Sequence, residues 1–350
     1  MTVTSGRAGS ATVRCPICLD VFSWDRTDED LYRFSEDSSY VPLTIPPGSS
    51  PQKREGVRRL AHIRCPNPSG DRPPHFLPLL YTAYRPPIVI GMVGASLSGK
   101  THLLAAIMGE IERDKLAPYG LKADALDPVR HRNFIQQYTQ PLMERSRRLP
   151  GTVEGVADFA DALLISSSEA TWPVAFFDVG GEDLSGLREN TRFLSGLNAL
   201  MFVVDSATVG ASADARDDTY RSVLGMLHPG SGYLDVPAVV VINKADLVQF
   251  ASPVDEWIHR PQADHLQPAA ILAESRDAYA YLHRAGATAL LQPYRYCRRC
   301  TLHFASATGG PARDDGYPHG VRPMRVLEPL VALLAMSGVF GAAAAREVGN

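Results

Sequence analysis

Between the apolar run Ile88-Val89-Ile90-Gly91-Met92-Val93 and a segment carrying Leu103, Leu104, Ile107, Met108 and Ile111 lies Gly94-Ala95-Ser96-Leu97-Ser98-Gly99-Lys100-Thr101. No other feature constrains the fold as tightly. The first run is short, apolar and rich in β-formers, as in a strand buried on both faces of a parallel sheet. The second repeats at helical spacing, so one helix face can cover that sheet. Two glycines let the intervening backbone curl until successive N–H groups and the helix N-terminus converge on an anion, the pattern G-x-x-x-x-G-K-[ST] of a phosphate-binding loop. In that pattern Gly94, Ser98, Gly99, Lys100, Thr101 and His102 line the phosphates, Lys100 reaches the β/γ-phosphates and Thr101 ligates Mg²⁺.

Strand and helix signals then alternate as in a doubly wound, mostly parallel α/β sheet. Residues 158–167 and 173–178 read as two strands joined by a hairpin-like turn. The second runs into Asp178-Val179-Gly180-Gly181-Glu182, the pattern D-x-x-G. There Asp178 holds Mg²⁺, mostly through water, and the Gly181 N–H senses a terminal phosphate. Residues 200–205 form a further strand, and residues 236–242 another that ends in Asn243-Lys244-Ala245-Asp246. An Asp at this place accepts from both N1–H and N2–H of guanine while the Lys stem covers the base; adenine lacks that donor pair. Residues 301–305 read as the last strand, followed by Ser306-Ala307-Thr308, whose backbone is placed to meet the guanine O6 edge. A final helix is expected over 325–336.

Residues 112–157 carry charges, four prolines and only a middling helical pattern. This stretch is expected to hold the nucleotide-sensitive switch, whose hydroxyl must reach Mg²⁺ and the γ-phosphate from a loop. Thr152 is the candidate, with Thr139 and Thr171 as competitors. Arg147 and Arg148 just upstream suggest an arginine supplied in cis, although a solvated basic loop is the commoner explanation.

The first eighty residues differ in texture, with ten of the 27 prolines and three of the five cysteines. Cys15-Pro16-Ile17-Cys18 has the spacing of a zinc knuckle. Cys65 repeats its Cys-Pro start, but Pro68 stands where a second cysteine is expected. His75, beyond that turn, is preferred over His62 as fourth ligand; the plainer alternative is buried thiols and surface histidines. Residues 25–56 read as a polar, irregular excursion. Cys297-Arg298-Arg299-Cys300 is a second C-x-x-C that offers, with Cys15 and Cys18, an alternative four-cysteine site, unless Cys300 belongs to the last strand.

A chain of 350 residues has room for one sizeable core and a smaller module. The expected division is a zinc-ribbon-like module at 1–82, an α/β domain at 83–337 with an insertion at 247–300, and a tail at 338–350. A formal charge of -3 gives no general pull toward nucleic acid, so none is expected. The N-terminus lacks an apolar h-region, which points to the cytoplasm. The apolar window 326–345 is broken by Glu328, Pro329, Ser337, Gly338 and Gly341, favouring a closing core helix over a membrane anchor.

Taken in this order, the motifs resemble those of the Ras-like P-loop GTPases of the TRAFAC class over roughly residues 85–336. More narrowly, Cys15 and Cys18 ahead of the domain and Asp178-Val179-Gly180-Gly181-Glu182-Asp183 look like the bacterial double-GTPase family. The resemblance implies a Ras-like G domain and a place in a bacterial conflict or defence system, with a protein effector or GAP-like regulator. It leaves open pairing of two copies. One departure concerns Glu182, which stands where Ras-like proteins commonly carry a water-orienting glutamine. The γ-phosphate repels a carboxylate there, so intrinsic hydrolysis is expected to be slow. The leading expectation is a Mg²⁺-dependent GTP-binding switch and slow GTPase using Lys100, Thr152, Gly181 and Glu182. The alternatives are a non-hydrolysing guanine-nucleotide scaffold and a P-loop ATPase or kinase.

Overall fold

The computed structural model describes residues 11–15, 17–18, 20–24, 30–35, 39–70, 73–150, 158–180, 196–210, 218–227 and 232–349. Its strands are β1 (Ala11–Arg14), β2 (Val21–Trp24), β3 (Leu31–Phe34), β4 (Tyr40–Leu43), β5 (Ala61–Arg64), β6 (Phe76–Pro78), β7 (Ile88–Gly94), β8 (Lys122–Ala125), β9 (Asp158–Ser166), β10 (Thr171–Gly180), β11 (Ala199–Asp205), β12 (Ala238–Asn243) and β13 (Cys300–Phe304). Among the described residues they form three sheets.

The largest sheet has seven strands in the order β13-β12-β11-β7-β10-β9-β8. All run parallel except β9, which is antiparallel to both neighbours. β7 is central. The chain leaves it for β8, β9 and β10 on one side, then crosses to β11, β12 and β13 on the other, so the order reverses at the carboxyl end of β7. In open α/β sheets that reversal opens a crevice where ligands bind.

Every residue of β7 and β12 is buried. Val89 and Val93 face one apolar layer with Phe202, Ile242 and the helix Asp218–Leu227, while Ile90 and Met92 face another with the helices Lys100–Glu112 and Leu327–Met336. Strand periodicity thus puts successive side chains on opposite faces, both covered. The segment 247–300 contributes the helix Pro268–Arg284, ended by Gly286 at φ +74°. This helix closes the sheet's open edge: Ser275 Oγ accepts from the Leu302 N–H at 3.1 Å and Glu274 Oε1 from the Phe304 N–H at 3.0 Å. Unpaired edge N–H groups otherwise invite pairing with another strand.

The amino-terminal region holds two small sheets, β1-β2 and β4-β3-β5-β6. Residues 25–56, expected to be irregular, include β3, β4 and most of the helix Pro51–Arg58. Ser50 caps that helix, accepting from the Lys53 N–H at 3.3 Å, and Pro51 occupies its first turn. None of its residues is buried, so no apolar stripe announces it. Trp24, Leu31 and Leu77 join the apolar layer that covers one face of the large sheet.

The helix expected over 325–336 begins at Leu327, because Arg325 sits at φ +53° with its guanidinium 2.7 Å from Glu274 Oε2, and it is not the final one, since Gly341–Glu347 follows it within the expected tail. The helices Leu327–Met336 and Gly341–Glu347 meet at 115°. Among the described residues no single helix is long and apolar enough to cross a membrane.

Candidate functional site

Parallel strands deliver the chemistry-bearing residues to one edge of the sheet. Gly94 ends β7, Gly180 ends β10 in register with it, and Asp205 of β11 pairs with Asn243 of β12. Ser306 follows the end of β13 by two residues. Such convergence needs five parallel strands of matched register, which no local pattern specifies.

The 94–101 loop is drawn tightly around its own backbone. A Cβ on Gly94 would lie 2.5 Å from the Val203 carbonyl oxygen, and one on Gly99 would lie 2.6 Å from Asn243 Nδ2. Gly99 is at φ +87°, a conformation that disfavours any side chain. Lys100 is buried and folds back so that Nζ donates to the Gly94 oxygen at 2.9 Å and the Ala95 oxygen at 3.4 Å. The helix Lys100–Glu112 starts without a side-chain cap, so its first N–H groups point along the loop. Among the described residues the buried Ser98 hydroxyl has no hydrogen-bond partner.

Asn243 ties three segments together. Its Nδ2 donates to the Ser98 oxygen at 3.0 Å, and its Oδ1 accepts from the Ala307 N–H at 3.3 Å. Lys244, in the left-handed region at φ +55°, donates from Nζ to the Leu97 oxygen at 2.8 Å and to Asp205 Oδ2 at 2.6 Å. Asp246 is buried, and Ser306 Oγ donates to its Oδ1. Burial pushes the Asp246 carboxyl up, against the opposing effect of that hydroxyl. Ser306 Oγ also accepts from the Gly309 N–H at 2.8 Å, so the hydroxyl that orients Asp246 is itself fixed. The side chain of Ser306, rather than its backbone, therefore carries its contact with Asp246. Asp205 was legible only as a strand end; its pairing with Lys244 is tertiary.

His102 follows directly in the first helical turn. Burial, with the charges of Arg148 and Lys244, pushes its imidazole down to about 4. The neutral ring accepts from the Leu149 N–H at 3.2 Å, joining the loop's helix to the segment before Thr152. Thr152, Gly181 and Glu182 lie outside the described residues, and for Asp178 the backbone alone is described, in register with Met92. The competing threonines are placed elsewhere. Thr139 is buried and bonds to the Ala105 oxygen, and Thr171 bonds to Ser166 at the far end of β10. Arg148 is exposed, with its backbone N–H bonded to the Asp315 oxygen.

The second centre is the set Cys15, Cys18, Cys65 and His75, whose ligand atoms all lie within 4.8 Å of one another. Cys15 Sγ is 3.3 Å from His75 Nε2, and Cys18 Sγ is 3.6 Å from Cys65 Sγ. The N–H groups of Ile17 and Asn67 donate to Cys15 Sγ and Cys65 Sγ at 3.3 and 3.4 Å. His75 Nδ1 sits 2.8 Å from the Pro73 oxygen, which fixes the tautomer and aims Nε2 at the sulfurs. Asp20 joins the two turns by accepting from Ser69 N at 2.9 Å and Ser69 Oγ at 2.5 Å. The hydrogen bond from Cys15 holds the Cys65 thiol down at about 4 and raises that of Cys15, while burial raises Cys18 to about 11. Three sulfurs and one oriented imidazole fit tetrahedral zinc. His62 is no part of this set, since it faces Asp127. Cys297 and Cys300 are buried elsewhere, Cys300 within β13, so the four-cysteine alternative is not formed.

No model of a known protein family matches the chain, and no curated protein sequence matches it.

Proposed function

We propose that this protein binds guanine nucleotide with Mg²⁺ at the carboxyl edge of the large sheet and acts as a slow GTPase switch of Ras-like type. One observation carries the reading. The tetrad 243–246 and the 94–101 loop are built as a single unit, through Asn243 to Ser98 and Lys244 to Leu97. A base-reading carboxylate and a phosphate cradle are thereby held at fixed separation, as recognition of a nucleoside phosphate requires. The switch point at β7 and the Ser98 hydroxyl, unpartnered among the described residues, support the same reading.

In this reading the loop N–H groups and Lys100 take the phosphates, and Asp246, steadied by Ser306, accepts from guanine N1–H and N2–H. Thr101 and Asp178 would hold Mg²⁺, which supplies charge neutralisation on the β- and γ-phosphate oxygens. Thr152 and Gly181 are the proposed sensors of the γ-phosphate. Glu182 accepts from the attacking water less effectively than glutamine, since its charge opposes that of the phosphate. The likeness to bacterial double GTPases makes a conflict-system switch with a GAP-like regulator the proposed setting, with the zinc-binding module as the partner surface.

Titration of the full chain with GDP and GTP in Mg²⁺, with ATP as competitor, tests this. The expected result is guanine binding lost in Lys100→Ala and at least about 100-fold preference over ATP. Equal binding of ATP and GTP would favour the ATPase or kinase reading. Single-turnover hydrolysis then separates switch from scaffold. Turnover that Lys100→Ala abolishes excludes a scaffold, and none over hours, with or without a regulator, excludes the GTPase.

A further inference from the structure

Between Ser306 and the helix Leu327–Met336 the chain makes an excursion that the nucleotide motifs do not explain. It leaves and returns as a hairpin: Ser306 and Met324 exchange backbone hydrogen bonds of 2.9 and 2.8 Å, and Arg322 N donates to the Thr308 oxygen at 2.9 Å. Gly309, at φ +70°, lets the two arms close, since a Cβ there would lie 2.2 Å from the Arg322 oxygen. Around Gly316 the hairpin reaches the segment that leads to Thr152. Arg148 N donates to the Asp315 oxygen and Tyr317 N to the Ser146 oxygen, both at 2.8 Å.

These bonds place Tyr317 among three parts of the candidate site. Its ring centroid is 6.4 Å from that of His102, one residue beyond Thr101, and the two rings are edge to face. Its hydroxyl is within hydrogen-bond reach of the Thr308 side chain and feels the opposing charges of Arg148 and Asp246. A nucleotide with phosphates at Lys100 and base edge at Asp246 must pass its sugar and one face of its base between those two points. Tyr317 is half-buried and touches both ends of that span, His102 in the first turn after the loop and Thr308 two residues beyond the Ser306 that bonds Asp246. An aromatic face is suited to a base or sugar because stacking does not depend on hydrogen-bond pattern.

We propose that Tyr317 is a nucleoside-positioning residue, its ring presented by the 306–325 hairpin as a wall for the sugar and base of the nucleotide. This inference rests on the guanine-nucleotide reading. The hairpin also grips the backbone at Ser146 and Arg148, so the same wall joins the base-binding loop to the entrance of the switch segment.

Calorimetric titration of GDP into the full chain with Mg²⁺, for wild type and for Tyr317→Ala, Tyr317→Leu and Tyr317→Phe, tests it. Tyr317→Ala is expected to weaken GDP about 5- to 100-fold, with Tyr317→Phe within about threefold of wild type. Tyr317→Leu distinguishes stacking from simple filling: it is expected to stay weak, whereas a purely structural role lets both Leu and Phe restore binding. Wild-type affinity in Tyr317→Ala overturns the inference and leaves the nucleotide reading standing. Failure of wild type to bind GDP overturns the nucleotide reading itself. If Tyr317→Ala does not fold, the comparison of Leu with Phe still decides.

Discussion

His62 of β5 places Nε2 2.8 Å from Asp127 Oδ2, and neither side chain is more than 3% exposed. The pair joins the amino-terminal four-stranded sheet to the first turn of the helix Pro128–Phe134. Asp127 also caps that helix, accepting from the Val129 and Arg130 N–H groups at 3.2 Å each, and Arg130 donates to Tyr40 Oη at 2.7 Å. Burial acts to raise the Asp127 carboxyl, yet His62 and Arg130 hold it below its ordinary value. His62, the less favoured of the two candidate fourth ligands, is instead a contact between the amino-terminal sheet and the helix Pro128–Phe134.

His62→Ala should therefore destabilise the whole chain rather than only its amino-terminal part. Removing His62 leaves the buried Asp127 carboxylate with Arg130 and the helix N–H groups but one charge-assisted bond fewer, at a cost of about 1.5–3 kcal/mol. Urea unfolding followed by fluorescence measures it. A loss below about 1 kcal/mol would show that the pair contributes little to docking.

The same helix sets a pH dependence. His131 Nδ1 lies 2.6 Å from Asp161 Oδ2 and its Nε2 3.1 Å from Glu112 Oε1. Burial opposes the charged ring, but the two carboxylates prevail and raise it to about 9. A raised histidine contributes stability that is fully present below its unfolded value of about 6.5 and is lost as pH rises through 9. Unfolding free energy should fall by on the order of 2–3 kcal/mol between pH 6.5 and 9.5, and His131→Gln should flatten that interval. An unchanged slope in the variant contradicts the assignment.

Metal analysis of the purified chain should find one zinc ion. Cys65→Ser and His75→Ala should lose it, while Cys297→Ser and Cys300→Ser should retain it. Chelation should also lower the melting temperature, because binding to a preformed site contributes folding free energy. Full zinc in His75→Ala would transfer the fourth ligand elsewhere.

Gly99→Ala tests the union of loop and tetrad. The added methyl meets Asn243 Nδ2 at 2.6 Å on a residue already at positive φ, so loop or asparagine must move. The expected cost is about 1–3 kcal/mol in stability, with guanine-nucleotide affinity reduced as well. Unaltered affinity would separate Asn243 from the function of the loop.

Local patterns made much of this legible. Continuous apolar runs identified the central strands β7, β11 and β12, and the glycines of the 94–101 loop follow from backbone geometry alone. C-x-x-C with a later Cys-Pro turn named three sulfurs and His75, because knuckle spacing is a local property. Short polar elements escaped. β8, alternating Lys122, Ala123, Asp124 and Ala125, and the exposed helix Pro51–Arg58 bury too little to leave an apolar signature. The Ser50-Pro51 cap was the available signal for the latter.

By itself the sequence determined which residues could cradle an anion, read a base edge or hold a metal, since these depend on residue type at fixed local spacing. The tertiary structure decided which of them meet. Parallel pairing set Asn243 against Ser98, Lys244 against Asp205 and Ser306 against Asp246, contacts between segments scores of residues apart. It turned His62 away from the cysteines and brought Tyr317 to His102. Contacts across such distances arise from sheet register and layer packing, which integrate the whole chain and leave no trace in any single stretch of it.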